Sequence, residues 1–279
     1  MKRYGRTKRV YSTAQINRIN RKYSKGPQGG GGSGGSVLKD ELAALGGATT
    51  DPDFANVSLL VKTDSGTPVD ATGNFPTISN EGFAVVNSSQ TKFQANSFNY
   101  TGGGFTRIIW PNANDKSLFE FGTAPFTIEC WVYRTALGTE GGNGPPVRDA
   151  VFSTFRSGDG GFAFFIRQDT GRFEWKTDQG TFLLGTEVVP FNQWSHLAVS
   201  RDASQQLKGF VNGTVAFDEA WNFDEGPAGS GELQFYIAKN DTPDTNKRFN
   251  GYVEDVRVTK GVGRYTAAFT PPTAQFPTS

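Results

Sequence analysis

From Asp51 to the C-terminus no apolar pattern keeps a helical period. Short β-type runs recur instead, each closed by Gly, Asn, Asp or Pro. Without helix-length segments between them, such runs cannot make the crossovers that parallel strands require, so the sheet they form has to be antiparallel. The plainest run is Phe126–Tyr133, in which Phe126, Ile128, Cys130 and Val132 share one face and Thr127, Glu129, Trp131 and Tyr133 the other. Trp131 and Tyr133 on the second face predict that both faces are covered. The best hairpin is Lys208–Val211, Asn212-Gly213, Thr214–Phe217, because Asn-Gly supplies the two positive φ angles of a two-residue turn. Further strands are predicted at Val57–Lys62, Phe83–Val86, Phe93–Tyr100, Thr106–Trp110, Ala150–Phe155 and Phe162–Arg167, and again at Arg172–Lys176, Thr181–Leu184, Trp194–Arg201, Leu233–Ala238 and Gly251–Thr259. That makes about fourteen, the pattern of an all-β antiparallel β-sandwich or jelly roll.

The aromatic residues locate the core. All 24 Phe and all five Trp lie at or beyond Phe54, so the core belongs to residues 50–279, a length that suits one large sandwich. The formal net charge of +1 hides a division, because residues 1–26 hold nine Lys or Arg and no Asp or Glu, giving +9 there and −8 in the rest. Residues 1–25 are read as a basic arm, with a short amphipathic helix from Ser12 that places Ile16, Ile19 and Tyr23 on one face. Residues 26–36, GPQGGGGSGGS, read as a flexible linker, with a span of about 5–6 Å × √11, or roughly 18 Å. Residues 37–47 predict a short helix capped by Ser36, with Leu38, Leu42 and Leu45 on one face.

Counting excludes several classes. The single cysteine, Cys130, can make neither an intrachain disulfide nor a cysteine zinc site, and the single histidine, His196, leaves no two-His metal motif. No apolar run approaches the roughly 18 residues of a spanning helix, and the N-terminus lacks a signal peptide's apolar region. The expectation is a soluble protein made in a reducing cytoplasm, with no membrane partner.

Retaining glycosidases need two carboxylates about 5–5.5 Å apart facing one cleft. Glu254 and Asp255 are adjacent and so are predicted on opposite faces of a strand, and Glu129 has no carboxylate partner two residues away. Ser195 and His196 are strand neighbours as well, and no Gly-x-Ser-x-Gly elbow occurs. His196 is expected inside the sandwich and Cys130 as a small buried hydrophobe. No catalytic residue is predicted, and no enzyme activity.

Several runs carry a resemblance. They are Asp51–Leu60, Phe121–Trp131, Trp194–Arg201, Gly209–Gly213, and Phe249–Thr266 followed by Phe269-Thr-Pro-Pro272. Together they resemble the concanavalin A-like, laminin-G-type jelly roll of bacteriophage virion proteins, over roughly Asp51 to the C-terminus. The resemblance implies a sandwich that binds carbohydrate or protein and is carried on a virion made in the host cytoplasm. Related domains often bind calcium, and the oxygen-rich loops 218–225 and 240–244 leave it open here, but Asn99-Tyr-Thr-Gly-Gly-Gly104 lacks the carboxylates of the usual loop, so solvated loops are expected and no metal or other cofactor is predicted.

Glycan binding calls for an aromatic platform beside polar groups. Trp221 beside Asp224, the Asn240–Asp241 loop, and Trp110 before Pro111 are the candidates. Arg3, Arg6, Lys8, Arg9, Arg18, Arg21 and Lys22 make the arm an anchor, so residues 1–47 are expected to join capsid or tail proteins while the jelly roll faces host glycans or reinforces the particle. Two alternatives stand beside this: a polysaccharide-active glycosidase or free lectin on the same fold, and an internal virion protein whose arm contacts nucleic acid. Nucleic acid is not the expected partner, since the arm has no nucleic-acid fold. Self-association into a homo-oligomer stays open.

Overall fold

The computed structural model describes residues 50–101, 103–109, 117–138, 147–154, 161–177, 180–226, 234–242 and 245–279. The arm at 1–25, the linker at 26–36, the helix at 37–47 and Trp110 lie outside the described residues. Among those described, a 3-10 turn at Phe54–Asn56 precedes eighteen strands. The first nine are β1 (Val57–Lys62), β2 (Val69–Asp70), β3 (Thr77–Glu81), β4 (Val85–Asn87), β5 (Ser97–Asn99), β6 (Phe105–Ile109), β7 (Phe126–Arg134), β8 (Arg148–Ser153) and β9 (Ala163–Arg167). They are followed by β10 (Arg172–Lys176), β11 (Phe182–Val188), β12 (Trp194–Arg201), β13 (Gln206–Val211), β14 (Thr214–Ala220), β15 (Gln234–Ile237), β16 (Lys239–Thr242), β17 (Thr245–Arg248) and β18 (Gly251–Lys260).

Two antiparallel sheets face each other. The nine-stranded sheet runs β14-β13-β12-β7-β18-β1-β2, with β5 also paired to β18 and β4 to β5; the seven-stranded sheet runs β11-β10-β9-β8-β15-β6-β3. The all-β sandwich read from the sequence is the fold observed. Asn212 and Gly213 have φ of 51° and 77°, so the Asn-Gly turn joins β13 to β14 as its chemistry requires.

Three departures have physical causes. Phe83–Val86 was expected as a strand, but Gly82 turns the chain at φ 66°, Phe83 is 76% exposed, and β4 starts at Val85. Only Ser97–Asn99 of Phe93–Tyr100 pairs, because the Glu254 carboxylate accepts the backbone N–H groups of Lys92, Phe93 and Gln94 that a ladder would have used. β16 and β17 form a hairpin where an acidic loop was expected, with β16 fixed by the Ser153 Oγ–H donating to the Lys239 carbonyl at 2.9 Å.

The inner faces meet in a core dense in aromatic rings. Phe121 stacks on Phe126 at 4.4 Å and Phe162 on Trp175 at 5.3 Å. Phe126, Ile128, Cys130 and Val132 of β7 are all buried in this core, as their alternation predicts. Cys130 is fully buried, and burial, then the Glu129 charge, pushes its thiol up. The other face of β7 is covered too. The C-terminal segment lies across it, with Tyr265 stacked on Phe269 at 3.7 Å and Phe276 buried.

Candidate functional site

The outer face of the nine-stranded sheet divides into a sealed charged layer and an open aromatic row. The charged layer centres on Glu129, which is fully buried. Its carboxylate accepts hydrogen bonds from Arg257 Nε (2.9 Å) and Nη2 (2.7 Å) and from the Tyr265 hydroxyl (2.7 Å), and it pairs with His196 Nε2 at 3.0 Å. Burial alone would raise the Glu129 carboxyl; the charge of Arg257 and the His196 hydrogen bond outweigh it and hold it well below the usual carboxylate range. An ionised Glu129 accepts, so His196 Nε2 carries the proton. Arg257 also donates to Asp51, which Arg264 grips with both terminal nitrogens at 2.9 and 2.8 Å.

His196 was expected inside the sandwich. It is fully buried, but on the outer face of β12, with Tyr265, Phe269 and Phe276 around its ring. Leu197 and Val199 point into the core, which sends Ser195 inward and His196 outward, so the two do not meet.

Glu254 and Asp255 were expected on opposite faces, and here the structure corrects the sequence reading. The register of β18 against β7 slips between Glu254 and Arg257, and Asp255 adopts φ 52°, so a bulge breaks the alternation. Both carboxylates reach Gln94: Glu254 accepts its backbone N–H at 3.2 Å and Asp255 its side-chain amide at 2.8 Å. Asp255 also pairs with Lys62 and accepts the Phe276 N–H at 3.0 Å. These acids hold loops in place and are filled by doing so.

The aromatic row lies beside this layer, toward the start of β18. Register aligns Val85 of β4 with Asn99 of β5, Asn99 with Tyr252 of β18, Tyr252 with Tyr133 of β7, and Tyr133 with Trp194 of β12. The inward neighbours Val86, Phe98, Val253 and Val132 belong to or pack on the core, so the whole row faces outward. Asn99, Tyr252, Tyr133 and Trp194 are half-buried and Val85 is exposed. Tyr133 meets Trp194 edge to face at 5.7 Å and Tyr252 at 6.1 Å. The Trp194 Nε1–H donates to the Thr91 carbonyl at 3.1 Å, which fixes its rotamer, and the loop carrying Thr91 and Lys92 is pinned by Glu254. The row is therefore preorganised, with ring faces and edges left for solvent or a ligand.

The candidates named from sequence sit elsewhere. Trp221 is only 8% exposed, belongs to the core cluster and donates Nε1–H to Glu225 at 2.8 Å, so no open ring face remains for stacking. Asp224 is exposed near Arg201, whose guanidinium feels its charge. Asn240 is 4% exposed within β16, and of Asp241 only the backbone is described. Trp110 and the seven arm cations, Arg3 to Lys22, lie outside the described residues. The structure thus does not bring Trp221, Asp224 and Asn240 together as one surface. Among the described residues, no three His, Cys, Asp or Glu side chains gather as a metal site.

Tyr133, Tyr252, Trp194 and Asn99 were missed as a site. The alternation of β7 did place Tyr133 on the outward face, but the alignment of four strands is not written in any one of them.

Residues 102–262 match the Laminin_G_3 family, described as the concanavalin A-like lectin/glucanases superfamily. The chain belongs to this family. No curated protein sequence matches it. Among solved structures, the jelly roll is similar to domain 4 of AbnA, a GH43 extracellular arabinanase from Geobacillus stearothermophilus, in complex with arabinotriose. The TM-score is 0.54 at 17% identity, over 74% of this chain and 93% of that one. It is also similar to the receptor binding domain of botulinum neurotoxin D, with a TM-score of 0.51 at 11% identity over 74% of this chain. The binding domain of Paraclostridial Mosquitocidal Protein 1 gives a TM-score of 0.52 at 14% identity over 77%. The match spans about half of each of these two toxin domains, 49% and 50%.

Proposed function

We propose that this laminin-G-like jelly roll is a non-catalytic glycan-binding protein and that the row Trp194–Tyr133–Tyr252–Asn99 is its binding surface. The observation that carries the reading is three half-exposed rings held in register on adjacent strands, with an amide at the end of the line. Sugar rings stack their apolar faces on such rings while a hydroxyl accepts from the Asn99 side-chain N–H2, its Oδ1 being filled by the Thr101 N–H and Oγ–H. Structural neighbours that are a sugar-complexed domain and receptor-binding domains support the reading. Against hydrolysis, Glu129 and Asp255 are buried and Glu254 holds three backbone N–H groups, so none of them faces a cleft as an acid or nucleophile.

The wider role in this proposal is display on a bacteriophage virion, with residues 1–47 as the anchor. The geometry of the jelly roll suits it. Asp51, where the tethering segment would join, bonds to Arg257 and to the Ser279 carbonyl near one end of β18, whereas the row crosses β18 at Tyr252. Arg257, the partner of Asp51, and Tyr252 of the row are five residues apart on β18, which supports such a division of roles.

The test is glycan binding by the full chain and by Trp194→Ala, Tyr133→Ala and Tyr252→Ala, each checked for native circular dichroism. Folded variants that lose binding are expected. Undiminished binding by all three removes the row. Release of reducing ends from the bound glycan would overturn the non-catalytic reading, and normal incorporation into particles of a chain lacking residues 1–36 would overturn the anchor.

A further inference from the structure

Resting on the reading that the aromatic row binds a glycan, we propose that its ligand is an internal stretch of a carboxylate-bearing polysaccharide, laid across the strands with Lys92 facing its acidic groups. The first support is that, among the described residues, no further strand flanks the row at either end. Val85 lies on β4, which pairs only with β5, and the β12 to β13 ladder starts at Leu197–Val211, so no β13 residue flanks Trp194. Five aligned residues cover four inter-strand spacings of about 4.8 Å, or roughly 19 Å. A surface that reads a chain terminus needs a wall to stop it, and among the described residues neither end has a strand to serve as one.

The second support is ring orientation. Tyr133 is tilted 62° to Trp194 and 78° to Tyr252. Such rings make no flat shelf for a stacked or crystalline polymer. They suit a single chain whose successive sugars turn relative to each other.

The third is charge. Lys92 Nζ sits 4.6 Å over Trp131 and 5.1 Å over Phe93, and it pairs with no carboxylate among the described residues. Trp131 precedes Tyr133 by two residues on the same outward face, about 7 Å along the strand, so the ammonium stands beside the row. The nearby acids are engaged: Glu254 by three backbone N–H groups, Asp255 by Lys62, Gln94 and the Phe276 N–H. Arg134, under Phe191 at the edge of the row, is matched by Asp149. The negative charge of the body as a whole is screened beyond about 8 Å at physiological salt; Glu254 lies within that range and keeps its charge, so the patch is not positive as a whole, and Lys92 is the cation there whose ammonium no carboxylate holds among the described residues.

The experiment presents the full chain with polygalacturonate, alginate, hyaluronan and polysialate, each beside its carboxyl methyl ester, and with neutral dextran, xylan and arabinan. At least one acid polymer is expected to bind more tightly than its ester. Lys92→Met, which keeps the side-chain stem over Trp131, should reduce that preference about tenfold, as expected for one lost charge-assisted contact. Lys92→Arg should retain it, and reducing the ends of the bound chains should change nothing. Equal binding of acid and ester, an acid preference untouched in Lys92→Met, or binding of none of the four acids overturns the inference. Neutral binding that disappears in Trp194→Ala would do so while leaving the glycan reading intact.

Discussion

Arg257→Met tests whether the charged layer under the C-terminal segment holds the jelly roll together. Methionine keeps much of the apolar stem that packs under Phe276, whose ring lies 3.9 Å from the guanidinium. What it removes is two bonds to Glu129 and one to Asp51. Asp51 keeps Arg264, whereas Glu129 keeps only the His196 imidazole and the Tyr265 hydroxyl. One buried carboxylate is left without its full countercharge, and breaking a buried pair from one side costs about 3–5 kcal/mol. With one orphan rather than two, the lower half applies, about 3–4 kcal/mol. At about 2–4 °C per kcal/mol for a body of this size, the melting temperature should fall by roughly 6–16 °C.

The pH dependence gives the argument its sign. In the wild type the Glu129 carboxyl is depressed, so its stabilisation is present above the unfolded value of 4.5 and is lost as pH falls toward the folded one. Without Arg257, burial dominates and raises the carboxyl. Protonation then relieves the variant as pH falls. The stability gap between the two proteins should therefore narrow from pH 7 to pH 4, measured by urea denaturation. A gap below about 1 kcal/mol at pH 7, within the range of an exposed pair, would refute the account, and so would a gap that does not change with pH.

Three further outcomes follow from the packing of the sandwich. Trp221→Ala should cost about 3–5 kcal/mol by emptying a core site, with glycan affinity unchanged per folded molecule; a lost affinity with unchanged stability would restore Trp221 as a ligand contact. Gly213→Ala places a Cβ 1.8 Å from the Phe269 carbonyl at φ 77°, so either the turn or the C-terminal segment shifts. A loss of about 2 kcal/mol or more is expected in denaturant, and a wild-type midpoint would show the contact is slack. Cys130, buried and with its thiol pushed up, should resist iodoacetamide in the native protein and react once it is unfolded; native alkylation at the unfolded rate would contradict its placement.

The fold was largely legible because strand alternation is local. Val57–Lys62, Arg172–Lys176 and Trp194–Arg201 carry enough apolar or β-branched residues to announce themselves, and their predicted limits are those observed. Thr77–Glu81 reads TISNE and Lys239–Thr242 reads KNDT. Such polar strands exist because a partner offers hydrogen bonds, a fact held in the partner. The candidate site was mostly illegible for the same reason. Trp221 looked like a platform because it stands among Asp and Asn, and it is buried because Glu225, four residues on, takes its N–H and lets the ring turn inward.

By itself, then, the sequence determined the class of structure: antiparallel strands, a core beyond residue 50, an Asn-Gly hairpin and an inward face on β7. These follow from steric and hydrophobic preferences that act within a few residues. Only the tertiary structure decided which strands lie side by side, and with that it decided the row from Val85 to Trp194, gathered from positions more than one hundred and sixty residues apart on the chain between Val85 and Tyr252. It also decided that a bulge at Asp255 turns two neighbouring acids toward one loop. Register is set by the sum of all pairings across a sheet, so no single strand contains it.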